Sequence, residues 1–278
     1  MPQRPAQLML AEHQEARRIL AELGALLGAA TPPEISSPLE RRPNMAITAT
    51  KTVRELAVEV PNATRVFEKL GIDYCCGGDQ PLEQACATAN IAIDDAVRAL
   101  EQSTSNPANS VAPDWNLAPL GDLVDHIVEK HHTYVKTEAP RLQALIAKVV
   151  GVHGKNHPEL EQVQIAFSAL ANELAGHLMK EEQILFPYVK QMASGAGRGP
   201  SCFGSVHNPI RVMMMEHDDA GKTLREMRRI TSDYSIPADA CISYATLFRG
   251  LVEFEQDLHQ HIHLENNILF PRAVAMEQ

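Results

Sequence analysis

Two stretches constrain this chain more than anything else in it. Residues 177–187 read HLMKEEQILFP and residues 261–271 read HIHLENNILFP. Both fit H-x-x-x-E-x-x-I-L-F-P, so a histidine and a glutamate stand four apart twice, as His177 with Glu181 and His261 with Glu265. Residues four apart share one face of a helix, with Cβ atoms about 5–6 Å apart, so each pair can aim an imidazole and a carboxylate at one point. The repetition extends upstream: His132 precedes His177 by 45 residues and His217 precedes His261 by 44. Each half therefore offers one histidine on a first helix and the H-x-x-x-E on a second, an internal duplication of a helical hairpin.

From Trp115 to the end the pattern predicts long helices near 119–152, 158–192, 209–233 and 237–275, separated by loops such as SGAGRGPSCFGSVHNP. No stretch alternates like a strand between hairpin turns. The fold class is all-α, with residues 115–278 as a four-helix bundle. Pro140 marks a place where the first of these helices starts anew or kinks. The repeated Ile-Leu-Phe reads as core packing, and the proline after it as a helix kink or end.

Bundle cores are where such folds build metal sites. Four histidines and two glutamates pointing inward are generous for one zinc, which takes about four ligands. They suit two metal ions, each with two imidazoles, bridged by both carboxylates. Nitrogen and carboxylate ligands with open positions are compatible with iron or manganese; ligand type alone does not select the metal, since zinc binds imidazole as well. The other histidines carry less. His131 is expected about 100° away from His132 and on the surface, with His126 six residues before His132. His259 and His263 fall off the ligand face, and His153, His157 and His207 fall in loops. Glu173, four before His177, and Glu216, beside His217, are placed to orient ligands or relay protons; a solvated acid is the alternative for each.

Upstream, residues 1–44 read as an amphipathic helix and a Pro/Ser-rich linker, with charged residues where a signal-peptide core would be apolar. Met45 is an alternative point for translation to begin. The segment EHQEARRILAEL (12–23) echoes EHDDAGKTLREM (216–227), but lacks an H-x-x-x-E partner, so His13 is assigned no metal. Residues 45–102 form a small helical domain: Thr52 with Glu55 makes a capping box, and Asn62 and Gly71 start and stop a second helix. Residues 103–114 are a flexible linker. The net charge of −10 argues against a general nucleic-acid binder. No apolar run of 18 residues signals a membrane span, and the expected compartment is the cytoplasm.

Five cysteines are no secreted disulfide framework. Cys75 and Cys76, in DYCCGG, are adjacent, with Cα atoms about 3.8 Å apart, below the usual disulfide range of about 4.4–6.8 Å. The pair offers a redox couple, a transient thiolate ligand or a nitrosylation site; a turn with two small buried cysteines is the alternative. Cys86 reads as packing, and Cys202 and Cys241 have no evident partners.

On IDYCCGGDQPLEQAC, HLMKEEQILFP and HIHLENNILFP, residues 115–278 resemble a hemerythrin-type domain, and residues 45–278 resemble the RIC family, the di-iron proteins for repair of iron centres. The resemblance implies two iron ions in a carboxylate-bridged non-haem centre, held by His132, His177, Glu181, His217, His261 and Glu265, the same six that spacing suggests. It implies repair of iron–sulfur clusters damaged by nitrosative or oxidative stress, by iron donation and/or handling of nitric oxide. Damaged iron–sulfur proteins would be clients, and NO or O2 small ligands. Neither nucleic acid nor membrane is an expected partner, and a homodimer is compatible with the family. Two alternatives stay open: an enzyme reducing NO to N2O at the irons, and a reversible O2 or NO binder or sensor. O2-carrying hemerythrins have one more histidine, with no evident match in this chain.

Overall fold

The computed structural model describes residues 47–75, 77–104, 113–195 and 203–277. The expected N-terminal helix and linker, Cys76, Cys202 and most of the linker 103–114 lie outside them. Among the described residues the regular structure is helical throughout, with no strand.

Four short helices come first: α1 (Val53–Glu59), α2 (Ala63–Leu70), α3 (Leu82–Thr88) and α4 (Ile93–Thr104). Thr52 and Glu55 form the capping box, each satisfying a backbone N–H that the first turn leaves without a partner. Gly71 ends α2 at φ 65°, a left-handed backbone that glycine adopts without Cβ strain. Asn62 differs from expectation: at φ 61° its side chain makes no capping bond.

The bundle follows. Its first arm is α5 (Leu120–His126), a π-helical segment (Ile127–His132) and α6 (Thr133–His153). The second is α7 (Glu159–Lys180), a π segment (Glu181–Leu185) and α8 (Phe186–Ala193). The third is α9 (His207–Ile230) alone. The fourth is α10 (Ile242–His263), a π segment (Leu264–Leu269) and α11 (Phe270–Glu277). His132 and His217 lie early in their arms and face Phe186 and Phe270, late in theirs, so the arms alternate up and down.

The arms form because apolar residues recur at three- and four-residue steps. On the second arm Leu160, Val163, Phe167, Leu170 and Leu174 are buried, and His177, Glu181 and Leu185 continue the same stripe. On the fourth, Tyr244, Leu247, Leu251, Phe254 and Leu258 lead to His261, Glu265 and Leu269. The polar residues therefore occupy core positions, between two apolar clusters. One cluster joins the middle of the bundle to α1–α4 through Phe67, Tyr74, Phe254 and Ile262. The other fills the far end with Leu123, Ile127, Phe186, Met213 and Phe270, where Arg272 donates to the carbonyls of Trp115 and Ala118, at 2.7 Å each. The first and fourth arms pack closely at Gly250, where a Cβ would meet Leu142 Cδ2 at 2.8 Å and make that side chain shift.

Three expectations change. α6 runs unbroken through Pro140; the departure from α geometry lies earlier, at Ile127–His132. Pro187 and Pro271 do not end helices, since each stands second in the α-helix that follows a π segment, where a wide turn relieves the clash of the ring with the preceding carbonyl. Of the two Ile-Leu-Phe triplets only the second is wholly core, for Ile184 is 45% exposed.

Candidate metal centre

His132, His177, Glu181, His217, His261 and Glu265 converge, every one of them buried. The pairing of the histidines crosses the duplication. His132 Nε2 lies 3.2 Å from His261 Nε2, and His177 Nε2 lies 3.0 Å from His217 Nε2. Each half-site thus takes one histidine from the first hairpin and one from the second. The carboxylates join the halves. Glu265 puts Oε1 3.0 Å from His261 Nε2 and Oε2 3.1 Å from His217 Nε2. Glu181 puts Oε1 3.3 Å from His177 Nε2 and Oε2 3.4 Å from His132 Nε2. The ligand atoms fall into two groups, His132, Glu181, His261 and Glu265, and His177, Glu181, His217 and Glu265. No cysteine joins either group among the described residues.

The outer nitrogens decide which face each imidazole presents. His132 Nδ1 donates to Glu182 Oε1 at 2.7 Å, and Lys136 Nζ pairs with the same oxygen at 2.5 Å. His177 Nδ1 donates to Glu216 Oε2 at 2.8 Å, and Lys180 pairs with the other oxygen of that carboxylate. His217 Nδ1 donates to Asn266 Oδ1 at 2.8 Å. A carboxylate only accepts, so in the neutral ring Nδ1 carries the proton and Nε2 turns a lone pair inward. Three such lone pairs and two carboxylates aimed at one another, all buried, repel unless cations lie between them. Both Glu181 oxygens are buried and face imidazole nitrogens at 3.3 and 3.4 Å, long for hydrogen bonds. This donor set fits two metal ions.

The titration behaviour of the chain agrees. Burial works against charge on His132 and His177, but hydrogen bonds and charge from Glu181 and Glu265 outweigh it, raising them to about 10 and about 9. Burial likewise opposes ionisation of the two glutamates, yet the facing imidazoles hold both below the usual carboxylate range, Glu265 well below it. Two buried negative charges thus call for two positive ones, supplied by protons or by metal.

The π segments explain how the arms deliver these groups. They hold His132, Glu181 and Glu265, and widened turns of this kind recur at functional sites. His131 is buried beside His132 because its side of the first arm packs on the fourth, where it meets Asp257 and His261, against the expected surface position. The residue after each bridging glutamate, Glu182 or Asn266, accepts from the first-arm histidine of its own copy, a regularity that sequence reading missed. Phe186 and Phe270, from the repeated triplet, stack on His132 and His217 at 5.4 and 6.1 Å between centroids and wall the site with apolar surface. Glu216 lies against His177 as described, whereas Glu173 is exposed on the outer face, away from the ligands.

Tyr74 docks on the last π segment. Asn267 Nδ2 donates to the Tyr74 carbonyl at 3.2 Å and to His263 Nδ1 at 2.7 Å. Burial, and then Arg54, lower His263 to about 4, consistent with a neutral ring accepting that bond. Cys75 is buried, with its thiol 3.4 Å from Asp73 Oδ1, and Cys86 is core.

Cys241 has a partner after all. It is exposed at the start of α10, and its sulfur lies 3.2 Å from His153 Nε2, at the end of α6. The first-turn N–H of Tyr244, followed by the His153 ring, lowers its thiol to about 7. Alkylation of the native full-length protein by iodoacetamide, located by peptide mass, should therefore show Cys241 reacting with a midpoint near pH 7. His153→Gln should raise that midpoint; an unchanged one would show that the imidazole contributes nothing.

Residues 123–273 match the hemerythrin HHE cation binding domain, and residues 49–104 match a domain of unknown function named ScdA_N. A probable iron-sulfur cluster repair protein of Haemophilus influenzae is 38% identical over 226 residues, spanning 81% of this chain and 97% of the relative. The iron-sulfur cluster repair protein YtfE of Citrobacter koseri is 38% identical over 223 residues, spanning 80% and 96%. The YtfE protein of Salmonella schwarzengrund is 39% identical over the same shares. Among the described residues no helix is long and apolar enough to cross a membrane.

Proposed function

The chain belongs to the family of iron–sulfur cluster repair proteins with a hemerythrin HHE domain, and from that premise we propose that it holds two iron ions and returns iron to clusters damaged by nitrosative or oxidative stress. The observation that carries this reading is the convergence of four imidazoles and two bridging carboxylates into two joined half-sites. His132 and His261 would hold one ion, His177 and His217 the other, with Glu181 and Glu265 giving one oxygen to each. Bound iron would supply an exchangeable ferrous ion and open positions for NO or O2.

The chain's own residues perform the rest. Glu182, Glu216 and Asn266 hold the outer nitrogens of His132, His177 and His217 as donors, so that the inward nitrogens are the ones that give up a proton when metal binds. Phe186 and Phe270 exclude water from one side. A site without thiolates releases iron more readily than a cysteine cage, which suits a donor. Its clients are then damaged iron–sulfur proteins of the cytoplasm.

The test is iron transfer from the loaded, reduced protein to an apo-ferredoxin in the absence of air. Transfer should rebuild the ferredoxin cluster and be lost with His177→Ala and Glu265→Ala. A parent protein that binds two irons yet transfers none defeats the donor reading. Multiple-turnover N2O formation on mixing with NO would replace it with an enzyme.

A further inference from the structure

The duplication leaves the two half-sites differing behind their imidazoles at two positions. The residue after the shared glutamate is Glu182 in one copy, behind His132, and Asn266 in the other, behind His217, so both of those rings have an acceptor. The residue just before the first-arm histidine is Glu216 in one copy and His131 in the other. Glu216 reaches across and accepts from His177 Nδ1 at 2.8 Å. His131 does nothing equivalent for His261. Its ring lies parallel to that of His261, 5.7 Å away and 7° from coplanar orientation, and its own Nδ1 is bound to Asp257 Oδ1 at 2.9 Å. His261 Nδ1 is buried and has no acceptor among the described residues. Three ligand histidines thus have an acceptor behind them, two of them carboxylates, and the fourth has an aromatic face.

An acceptor on the outer nitrogen fixes the tautomer and raises the basicity of the nitrogen that binds metal. Loss of such a partner typically weakens a site by about 10–100-fold. Both half-sites share Glu181 and Glu265, and Glu182 in place of Asn266 changes the kind of acceptor behind His132 but supplies none to His261. We propose that the half-site of His132 and His261 is the exchangeable one, from which the metal ion leaves first, while that of His177 and His217 retains its ion. This rests on the reading that the six residues hold two ions. It adds a direction: the donated iron comes from a defined side of the centre, and His131 is the positioning residue that makes that side weak.

The experiment reads metal content, not activity. The full-length protein is loaded with two equivalents of ferrous iron under nitrogen and titrated with a ferrous chelator, with retained iron measured after desalting. Iron should leave in two waves of one equivalent, separated by about 10–100-fold in chelator concentration. His131→Glu, which offers His261 the acceptor that His177 has, should move the first wave toward the second. Glu216→Gln, which keeps the shape but removes the charge, should move the second wave toward the first and leave the first in place. A single wave in the parent overturns the proposal, as does a His131→Glu protein of native circular dichroism with an unmoved first wave. Should His131→Glu not fold, an unmoved second wave in Glu216→Gln overturns it alone. A parent that never takes up two equivalents instead defeats the reading on which the proposal rests.

Discussion

Glu265→Ala is expected to cost the protein both metal ions, whereas His217→Ala is expected to cost one. The difference follows from how the six side chains divide. Each histidine serves a single half-site, so removing one leaves the other half with two imidazoles and both carboxylates. Glu265 serves both, with its two oxygens 3.0 and 3.1 Å from histidines of opposite halves. Without it each half keeps two imidazoles and one oxygen of Glu181, short of the four or more ligands that such ions ordinarily take. Loaded protein should therefore fall from about two ions per chain to near none in Glu265→Ala, and to about one in His217→Ala. Glu265→Gln separates charge from shape: it keeps an acceptor oxygen but removes the charge that the two cations balance, and should bind weakly and incompletely. Metal analysis of desalted protein reads all three. Equal losses in Glu265→Ala and His217→Ala would mean that the carboxylate does not bridge.

Much of this centre was legible in the sequence because its logic is local. His177 with Glu181 and His261 with Glu265 are four apart, and that spacing places them on one helix face wherever the helix goes. The four arms were legible for the same reason, from stripes such as Leu160, Val163, Phe167, Leu170 and Leu174. What was not legible depends on neighbours far away in the chain. The crossing of the histidines, His132 with His261 and His177 with His217, is set by the order and level of the arms. The contact of Cys241 with His153 joins residues 88 apart. His131 was misplaced because the side of the first arm away from the ligands lies against Asp257 and His261 of the fourth arm, not in solvent. Glu182 and Asn266 could have been found: both directly follow the bridging glutamate, and a donor histidine needs an acceptor behind it.

Metal binding at neutral pH is expected to release about two protons per chain, and to tighten steeply as the pH rises. In the metal-free chain His132 and His177 stand at about 10 and about 9, far above the ordinary imidazole value of 6.5, because hydrogen bonds and charge from Glu181 and Glu265 overcome the penalty of burial. Both are therefore protonated at pH 7, on the nitrogens that would face the ions. Their contribution to stability is complete below about 6.5, the unfolded value, and is lost as the pH climbs through 9 and 10. The two glutamates are depressed below 4.5, so theirs is present above that value and is lost as the pH falls through the lower folded one. The metal-free protein should thus be most stable between about 4.5 and 6.5 and weaken toward alkaline pH. The loaded protein should behave in the opposite sense over the neutral range, because cations displace the two protons and gain as protons become scarce. With two protons released for two ions, the overall binding constant should rise about a hundredfold per pH unit between 7 and 8, and less steeply as His177 titrates near 9. An indicator dye in weakly buffered protein, mixed with ferrous iron under nitrogen, counts the protons. Urea unfolding at pH 6 and pH 9, with and without metal, reads the opposed slopes. Release of less than one proton per chain would mean that His132 and His177 are already neutral, and that something other than protons balances the buried carboxylates before metal arrives.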